Sequence, residues 1–370
     1  MTMKQTPLQD LATIAADGHR AGNVDRRTFL SICALAGIAP SLLMNRSAMA
    51  ADGELVFAGF GGDAATNMAE IFAKPFTAEH GTSVVYDGTG PTEGAIKAMV
   101  DTGKISWDIV DAENYMVVRL GQSGIFQPMD YSVVDRTKVL DGYALDHGIP
   151  GYFFSYVLAY DTEKLGKDAQ PTWADFWDVQ KYPGRRALWK WMHGALEAAL
   201  LADGVAPEQL YPLDIERALN KILSIKEHLI FWDSGASAQQ MFIGGEIVMG
   251  SIWNTRASII ERDTSGRVTW TWDGGVLASG NYSVMANNPG GAKAFEFIKF
   301  MQDPKLQVDY LISQGGGPSN PASFDLLTDD QKRLNPLQPE NYRVQVPQDK
   351  DWWAAHYDDA LTRYLEAISA

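Results

Sequence analysis

The 370-residue chain has one cysteine, Cys33. It falls within a segment, residues 1–50, that reads as an export signal and not as fold. Arg26 and Arg27 precede Phe29 and Leu30, a short apolar stretch runs over Ile32–Ala39 and Leu42–Met44, and Ala48 and Ala50 form an A-x-A site with cleavage expected before Ala51. The paired arginines point to the twin-arginine route. The apolar run is about half of the roughly 20 residues that a bilayer span requires, so a signal fits better than an anchor. Removing it leaves a chain without cysteine, which excludes disulfides and a thiol nucleophile.

Positive charge is also scarce. Lys and Arg number 31 against 46 Asp and Glu, for a net charge of −15; residues 1–50 hold five of the basic and three of the acidic groups, so the remainder moves to −17. A nucleic acid demands a basic footprint, and there is none. Bulk charge describes the surface and leaves the ligand open. The histidines beyond the signal, His80, His147, His193, His228 and His356, form neither H-x-x-x-H nor H-E-x-x-H, and no G-x-S-x-G elbow occurs. Glycine spacing at Gly59–Asp63 and Asp87–Pro91 matches neither a dinucleotide fingerprint nor a P-loop. No metal or cofactor is expected, and no carboxylate pair is singled out for glycosidase chemistry. A secreted small-molecule enzyme stays as the minor alternative.

What is present is a repeating βα pattern. Glu54–Ala58 predicts a first strand, followed by a glycine turn and a helix with Met68, Ile71, Phe72 and Phe76 on one face. Thr82–Tyr86 predicts a second strand, Thr92 caps a helix carrying Ile96, Met99 and Val100, and Trp107–Val110 predicts a third strand. Strand, glycine-rich loop and helix at this spacing imply a parallel α/β sheet. A crossing point is expected at Gly148–Tyr152, with an apolar strand over Phe153–Tyr160. Helical periodicity follows at Trp173–Phe176, Leu196–Leu201 and Ile215–Ile225, then a strand at Tyr282–Met285 and a helix at Ala292–Met301.

Several short segments, in order and spacing, resemble the polyamine-binding branch of the bacterial extracellular solute-binding proteins that serve ABC importers. They are Phe76–Gly81, Trp107–Val110, Gly124–Asp130, Leu158–Tyr160, Pro171–Asp175, Tyr182–Gly184, Gly245–Val248, Trp253–Asn254 and Ala294–Ile298, spread over nearly all of 53–325. The resemblance implies a type II periplasmic-binding-protein-like fold: two α/β lobes with mixed or mainly parallel sheets, a hinge and an interlobe cleft. Lobe 1 would comprise 53–150 plus 278–320, and lobe 2 would comprise 151–277 plus 321–370. It further implies a periplasmic, non-catalytic monomer that hands a small polar solute to an ABC permease in the inner membrane. Ligand would close the lobes about segments near Pro150 and Gly280.

Within that frame the ligand candidates lie at predicted strand ends, where open sheets bind. The backbone around Gly61, Gly62, Asp63, Thr89 and Gly90 presents amides to an anionic or polar group, or merely makes tight turns. Glu113, Asn114 and Tyr115 occupy a position of ligand contact in the resembled family; Glu113 suits an ammonium and Tyr115 a carbon skeleton, with capping and packing as the other role. Trp191, His193 and Ser234 are second-lobe candidates near predicted element ends; Trp191 is otherwise a core or lobe-surface residue, and His193 otherwise satisfies local hydrogen bonds. Trp253 matches the tryptophan that precedes a helix in that family and suits an aliphatic or cationic ligand. Arg256, three residues on, faces either a ligand carboxylate or a protein acid such as Asp233 or Glu261. Tyr282 contacts ligand or packs the lobe boundary, and Gly315–Asn320 reads as a late hinge or cleft loop.

The chain departs from the polyamine pattern where charge matters. Acidic positions of that family fall on Gly194 and Gly280, and an aromatic one on Ala278. Burying an ammonium without a partner costs several kcal/mol. The expected solute is therefore a small carboxylate-bearing compound, such as an amino acid or related organic acid, with a polyamine as the alternative.

Overall fold

The computed structural model describes residues 54–369; residues 1–50, read above as an export signal, lie outside them. The first half follows the βα pattern closely. Strands β1 (Glu54–Ala58), β2 (Ser83–Asp87) and β3 (Ile109–Glu113) pair in parallel in the order β2-β1-β3. Helices α1 (Asp63–Met68) and α2 (Lys74–His80), joined by a π-helical turn at Ala69–Ala73, bury Met68, Phe72 and Phe76. Helix α3 (Glu93–Thr102) starts where the Thr92 hydroxyl accepts a hydrogen bond from the Ala95 N–H and ends at Gly103, whose φ of 64° a side chain would disfavour. Helix α4 (Asn114–Gln122) follows β3 directly.

The middle of the molecule is antiparallel, which the βα pattern did not foretell. Strand β4 (Ile149–Asp161) runs 13 residues, all buried, against the 17-residue strand β8 (Val268–Val284). The strand expected at Tyr282–Met285 is only the end of β8. Its beginning was hidden because Trp272–Gly275 contains Asp273-Gly274-Gly275, a turn-like interruption. In the structure these residues bulge, so that pairing jumps from Tyr156↔Val276 to Leu158↔Thr271. Beyond β4 lie β5 (Arg186–Trp189), β6 (Leu229–Trp232) and β7 (Met249–Trp253); β5 pairs in parallel with both β6 and β7, and β7 is antiparallel to β4. The strand order is thus β2-β1-β3-β8-β4-β7-β5-β6, two parallel sets flanking an antiparallel pair. The result is a bilobed mixed α/β fold. The boundaries expected at 150/151 and 277/278 fall within β4 and β8.

Helices α5 (Ala195–Ala202), α6 (Ile215–Leu223), α7 (Gly235–Ile243) and α8 (Asn254–Asp263) serve the second strand set. Helix α9 (Lys293–Phe300) returns to the first, burying Phe295, Phe297 and Ile298. Helix α10 (Pro304–Gln314) ends at Gly315, and Gly317–Pro318 then makes a two-residue strand, β9, on β4. Strand β10 (Val346–Pro347) pairs with β8, and the terminal helix α11 (Lys350–Ser369) packs on α4 and α6. No helix among the described residues is long and apolar enough to cross a membrane.

Candidate functional site

Carboxyl ends of strands from both parallel sets converge on one cavity. Its walls are largely aromatic: Phe60, Tyr152, Phe154, Trp189, Trp253 and Tyr310. The rings brace one another, with Trp253 edge-on to Trp189 at 5.1 Å and tilted on Phe60 at 5.7 Å, and Trp189 stacked on Trp232 at 5.6 Å. The free space is narrow, ≈ 50 Å³ of positions open to the centre of a water molecule. On that measure a water takes about 10–15 Å³, so the cavity suits a ligand of a few heavy atoms.

Charge of both signs faces this space. Arg256 lies in the first turn of α8 and is 4 % exposed. Its Nη2 donates to the carbonyl of Gly61, and its Nη1 sits 3.6 Å from Asp63 Oδ2, an ion pair too long for a hydrogen bond. Nη1 has no hydrogen-bond partner among the described residues. Glycines allow this approach: a Cβ on Gly62, where φ is 71°, would lie 3.2 Å from Nη1, and one on Gly235 would lie 2.8 Å from Nε. On the other side Asp111 and Glu113, two apart on β3, share one face of the strand. The Tyr152 hydroxyl donates to Asp111 Oδ2 at 3.0 Å, leaving Oδ1 buried and unbonded among the described residues. Glu113 accepts from the Tyr156 hydroxyl at 3.0 Å and from Gln348 Nε2 at 2.6 Å. Burial pushes both carboxyls up to about 7, against the opposing pull of these hydrogen bonds.

Of the residues singled out in the sequence, Glu113, Trp253 and Arg256 line the cavity, and Gly61, Gly62 and Asp63 meet the Arg256 guanidinium. Thr89 and Gly90 stand behind the Phe60 turn: Thr89 bridges Phe60, and the Gly90 N–H bonds the Gly59 carbonyl. Asn114 faces a separate polar cavity beside Ser279 and Gln348, and its Oδ1 accepts from the Tyr115 N–H. Tyr115 is packed away from the cleft, stacked on His193 at 4.4 Å and on Tyr357 at 5.3 Å. His193 is buried in that same cluster. Trp191 is not among the walls; the tryptophan there is Trp189, because β5 delivers its last side chain to the cavity before the chain turns. Ser234 caps α7, accepting from the Ser237 N–H. Tyr282 lies opposite Asp111 in the β3–β8 register but packs edge-on to Phe57 and lines no part of the cavity. Arg256 pairs with neither Asp233 nor Glu261, since Glu261 is engaged by Arg333 and Thr269.

Asp111, Tyr152, Phe154, Trp189 and Tyr310 were missed. A signal for Asp111 existed in the Asp111-Ala112-Glu113 alternation ending an apolar strand, and one for Tyr152 and Phe154 in their two-residue spacing on β4. A larger depression, ≈ 580 Å³ on the same measure, lies near Asp203, Arg217 and Lys221. There Asp203 pairs with both Arg217 and Lys221, and no aromatic side chain lines the depression. Among the described residues no cluster of His, Cys, Asp and Glu could hold a metal.

Two lobes of mixed α/β structure, with a polar and aromatic cavity at their strand ends, define a type II periplasmic binding protein. The chain belongs to the bacterial extracellular solute-binding protein family, whose sequence profile matches residues 72–335. It is 31 % identical over 324 residues to the gamma-aminobutyric acid-binding protein of Pseudomonas aeruginosa, covering 86 % of this chain and 92 % of that one. It is 24 % identical over 275 residues to the spermidine/putrescine-binding periplasmic protein of Escherichia coli K12, covering 72 % and 78 %. Among solved structures, the Atu4243-GABA receptor superposes with a TM-score of 0.77 at 32 % identity, covering 85 % of this chain and 97 % of that one. The chain is therefore a periplasmic, non-catalytic component of an ABC importer that takes a small polar ligand, and membership of the family implies a membrane permease as partner.

Proposed function

We propose that the chain captures a short amino acid whose ammonium and carboxylate stand at opposite ends, of the γ-aminobutyrate class, in its zwitterionic form. The observation that carries this is one narrow cavity with a guanidinium nitrogen, Arg256 Nη1, and a carboxylate oxygen, Asp111 Oδ1, that are both unbonded among the described residues. A ligand carboxylate on Arg256 and an ammonium on Asp111 satisfy both buried atoms, and the aromatic walls cover the methylenes between them. The P. aeruginosa relative, named for γ-aminobutyrate, supports the same chemistry.

The cavity lies where β4 and β8 pass between the strand sets, so closure about those strands would bury the ligand from both lobes, taken as 53–150 with 278–320 and 151–277 with 321–370. A polyamine is the second reading, favoured by the presence of two carboxylates, Asp111 and Glu113, at the cavity. Arg256 opposes it, because a dication would leave a buried guanidinium facing like charge. Calorimetry with γ-aminobutyrate, butyrate and putrescine decides between them. Binding of γ-aminobutyrate well above the other two is expected, whereas tight putrescine binding with no γ-aminobutyrate heat would transfer the assignment to polyamines.

A further inference from the structure

We propose that Gly280 with Tyr152, and Gly194 with Tyr156, are specificity-determining and positioning residues that leave the β3 carboxylates with one free oxygen, enough for a single ammonium group. This rests on the zwitterion reading above and names what sets its ammonium end.

The geometry repeats itself. A Cβ on Gly280 would meet Tyr152 Cζ at 2.4 Å and its hydroxyl at 2.7 Å, so the Tyr152 ring occupies the space that any other residue at 280 would need. A Cβ on Gly194, where φ is 71°, would meet Tyr156 Cγ at 2.4 Å and Cδ1 at 2.6 Å. Each glycine thus lets a β4 tyrosine lie flat against the backbone. From those places the two hydroxyls reach the two carboxylates one to one, Tyr152 to Asp111 and Tyr156 to Glu113, both at 3.0 Å.

The two pairs then differ in what remains. Glu113 Oε1 is taken by Gln348 Nε2, so both of its oxygens have protein partners. Asp111 has one partner and keeps Oδ1 free among the described residues. A monoammonium solute needs one acceptor and finds it; an extended diamine needs two and finds the second already engaged. Around Asp111 the other titratable groups are Tyr86, Tyr282 and Tyr310, with Glu113 along the strand and Arg256 on the same cavity. Tyr152 alone of these donates to the Asp111 carboxylate, favouring its ionised form.

The test is calorimetric titration of wild type, Tyr152→Phe, Gly280→Ala, the double variant and Tyr156→Phe with γ-aminobutyrate and putrescine, over about pH 5 to pH 8.5 across the carboxylate range. Tyr152→Phe should weaken γ-aminobutyrate binding by roughly tenfold, the worth of a hydrogen bond to a charged group. It should also move the acid-side loss of affinity to higher pH, because Asp111 then holds its proton more tightly. Gly280→Ala should reproduce that displacement, and the double variant should add little to it, since both changes break one contact. Tyr156→Phe, which frees Glu113 Oε2, should narrow the preference for γ-aminobutyrate over putrescine by roughly tenfold. A purely structural role for the tyrosines would lower the melting temperature and leave the pH profile in place, and that result would overturn the proposal. Tyr152→Phe removes only a hydroxyl and carries the test alone where Gly280→Ala does not fold. Failure of wild type to bind γ-aminobutyrate is a separate outcome that sinks the zwitterion reading, and this proposal with it. Wild-type binding with unchanged profiles in the variants sinks only the assignment of these four residues.

Discussion

The cleft and the cluster around His193 are built from the same materials. Each gathers aromatic rings around buried ionisable groups, and Trp189 belongs to both, at 5.1 Å from Trp253 and 6.0 Å from His193. In the cluster, His193 is wedged between Tyr115 and Trp353, each at 4.4 Å. Nearby Glu197 is fully buried, and its Oε1 accepts from Tyr211 and Trp353. Burial holds His193 down to about 3, so its imidazole stays neutral near pH 7, and the same burial pushes the Glu197 carboxyl up. Burial in the cleft pushes its carboxyls up too, yet there they border a cavity that a guanidinium also faces. A perturbed pKa is therefore common to site and packing. What distinguishes the site is unbonded polar atoms of opposite charge on one cavity.

Breaking the charged end of the cleft should have the largest effect. Arg256→Ala is expected to cost γ-aminobutyrate about 2–5 kcal/mol of binding free energy, since the ligand carboxylate would be left buried and unpaired. Calorimetry checks it, and an unchanged dissociation constant would remove Arg256 from the site. Asp111→Asn should cost about 1.5–3 kcal/mol, the value of a hydrogen bond between charged groups. Its signature is selective: binding of butyrate, which has no ammonium, should not weaken.

The packed cluster should respond in stability and not in binding. An unfolded histidine titrates near 6.5, while His193 in the fold titrates near 3. As pH falls through 6.5 the unfolded chain takes up a proton that the native state refuses, and stability drops by about 1.4 kcal/mol per unit. Asp111 and Glu113 act in the opposite sense. Their folded values lie above the unfolded ones, so they add stability as pH falls from about 7 toward about 4. His193→Leu should thus gain roughly 2 kcal/mol relative to wild type between pH 7.5 and pH 5. Thermal melts of the ligand-free proteins at the two pH values measure this; equal differences at both would show that His193 is not held neutral.

The mildest comparison is within the cleft itself. An ammonium keeps Asp111 ionised, so γ-aminobutyrate affinity should be level above pH 7 and fall by up to about tenfold per unit below it. Butyrate has no ammonium to meet Asp111, so its affinity should show no such fall. Parallel profiles for the two ligands would place the ammonium away from Asp111.

Much of this was legible in the chain. The residues Trp253 and Arg256, close together beyond an apolar run, marked one wall of the cavity, and the glycine turn at Gly61–Gly62 marked the backbone that Arg256 reaches. Gly194 and Gly280, standing where the resembled family places acids, were the ground for expecting a carboxylate-bearing solute. Tyr115 and His193 misled because a polar aromatic side chain near a strand end looks the same whether it meets a ligand or another ring. Trp191 stood in for Trp189 because β5 is only four residues long, too short for alternation to set its phase.

The sequence by itself determined the βα periodicity, the turns that require glycine, the acidic surface and the supply of aromatic and charged side chains from which a cleft is made. Those are local properties, settled by spacing and residue type. Only the tertiary structure decided that, among the described residues, Asp111 keeps a free oxygen while Glu113 does not. That difference depends on Tyr152 and Tyr156 from β4, Gln348 beside β10, and a glycine at 280 more than a hundred residues from the tyrosine that lies over it. Whether a buried polar atom is satisfied is counted over all its neighbours in space, and no window of sequence contains them.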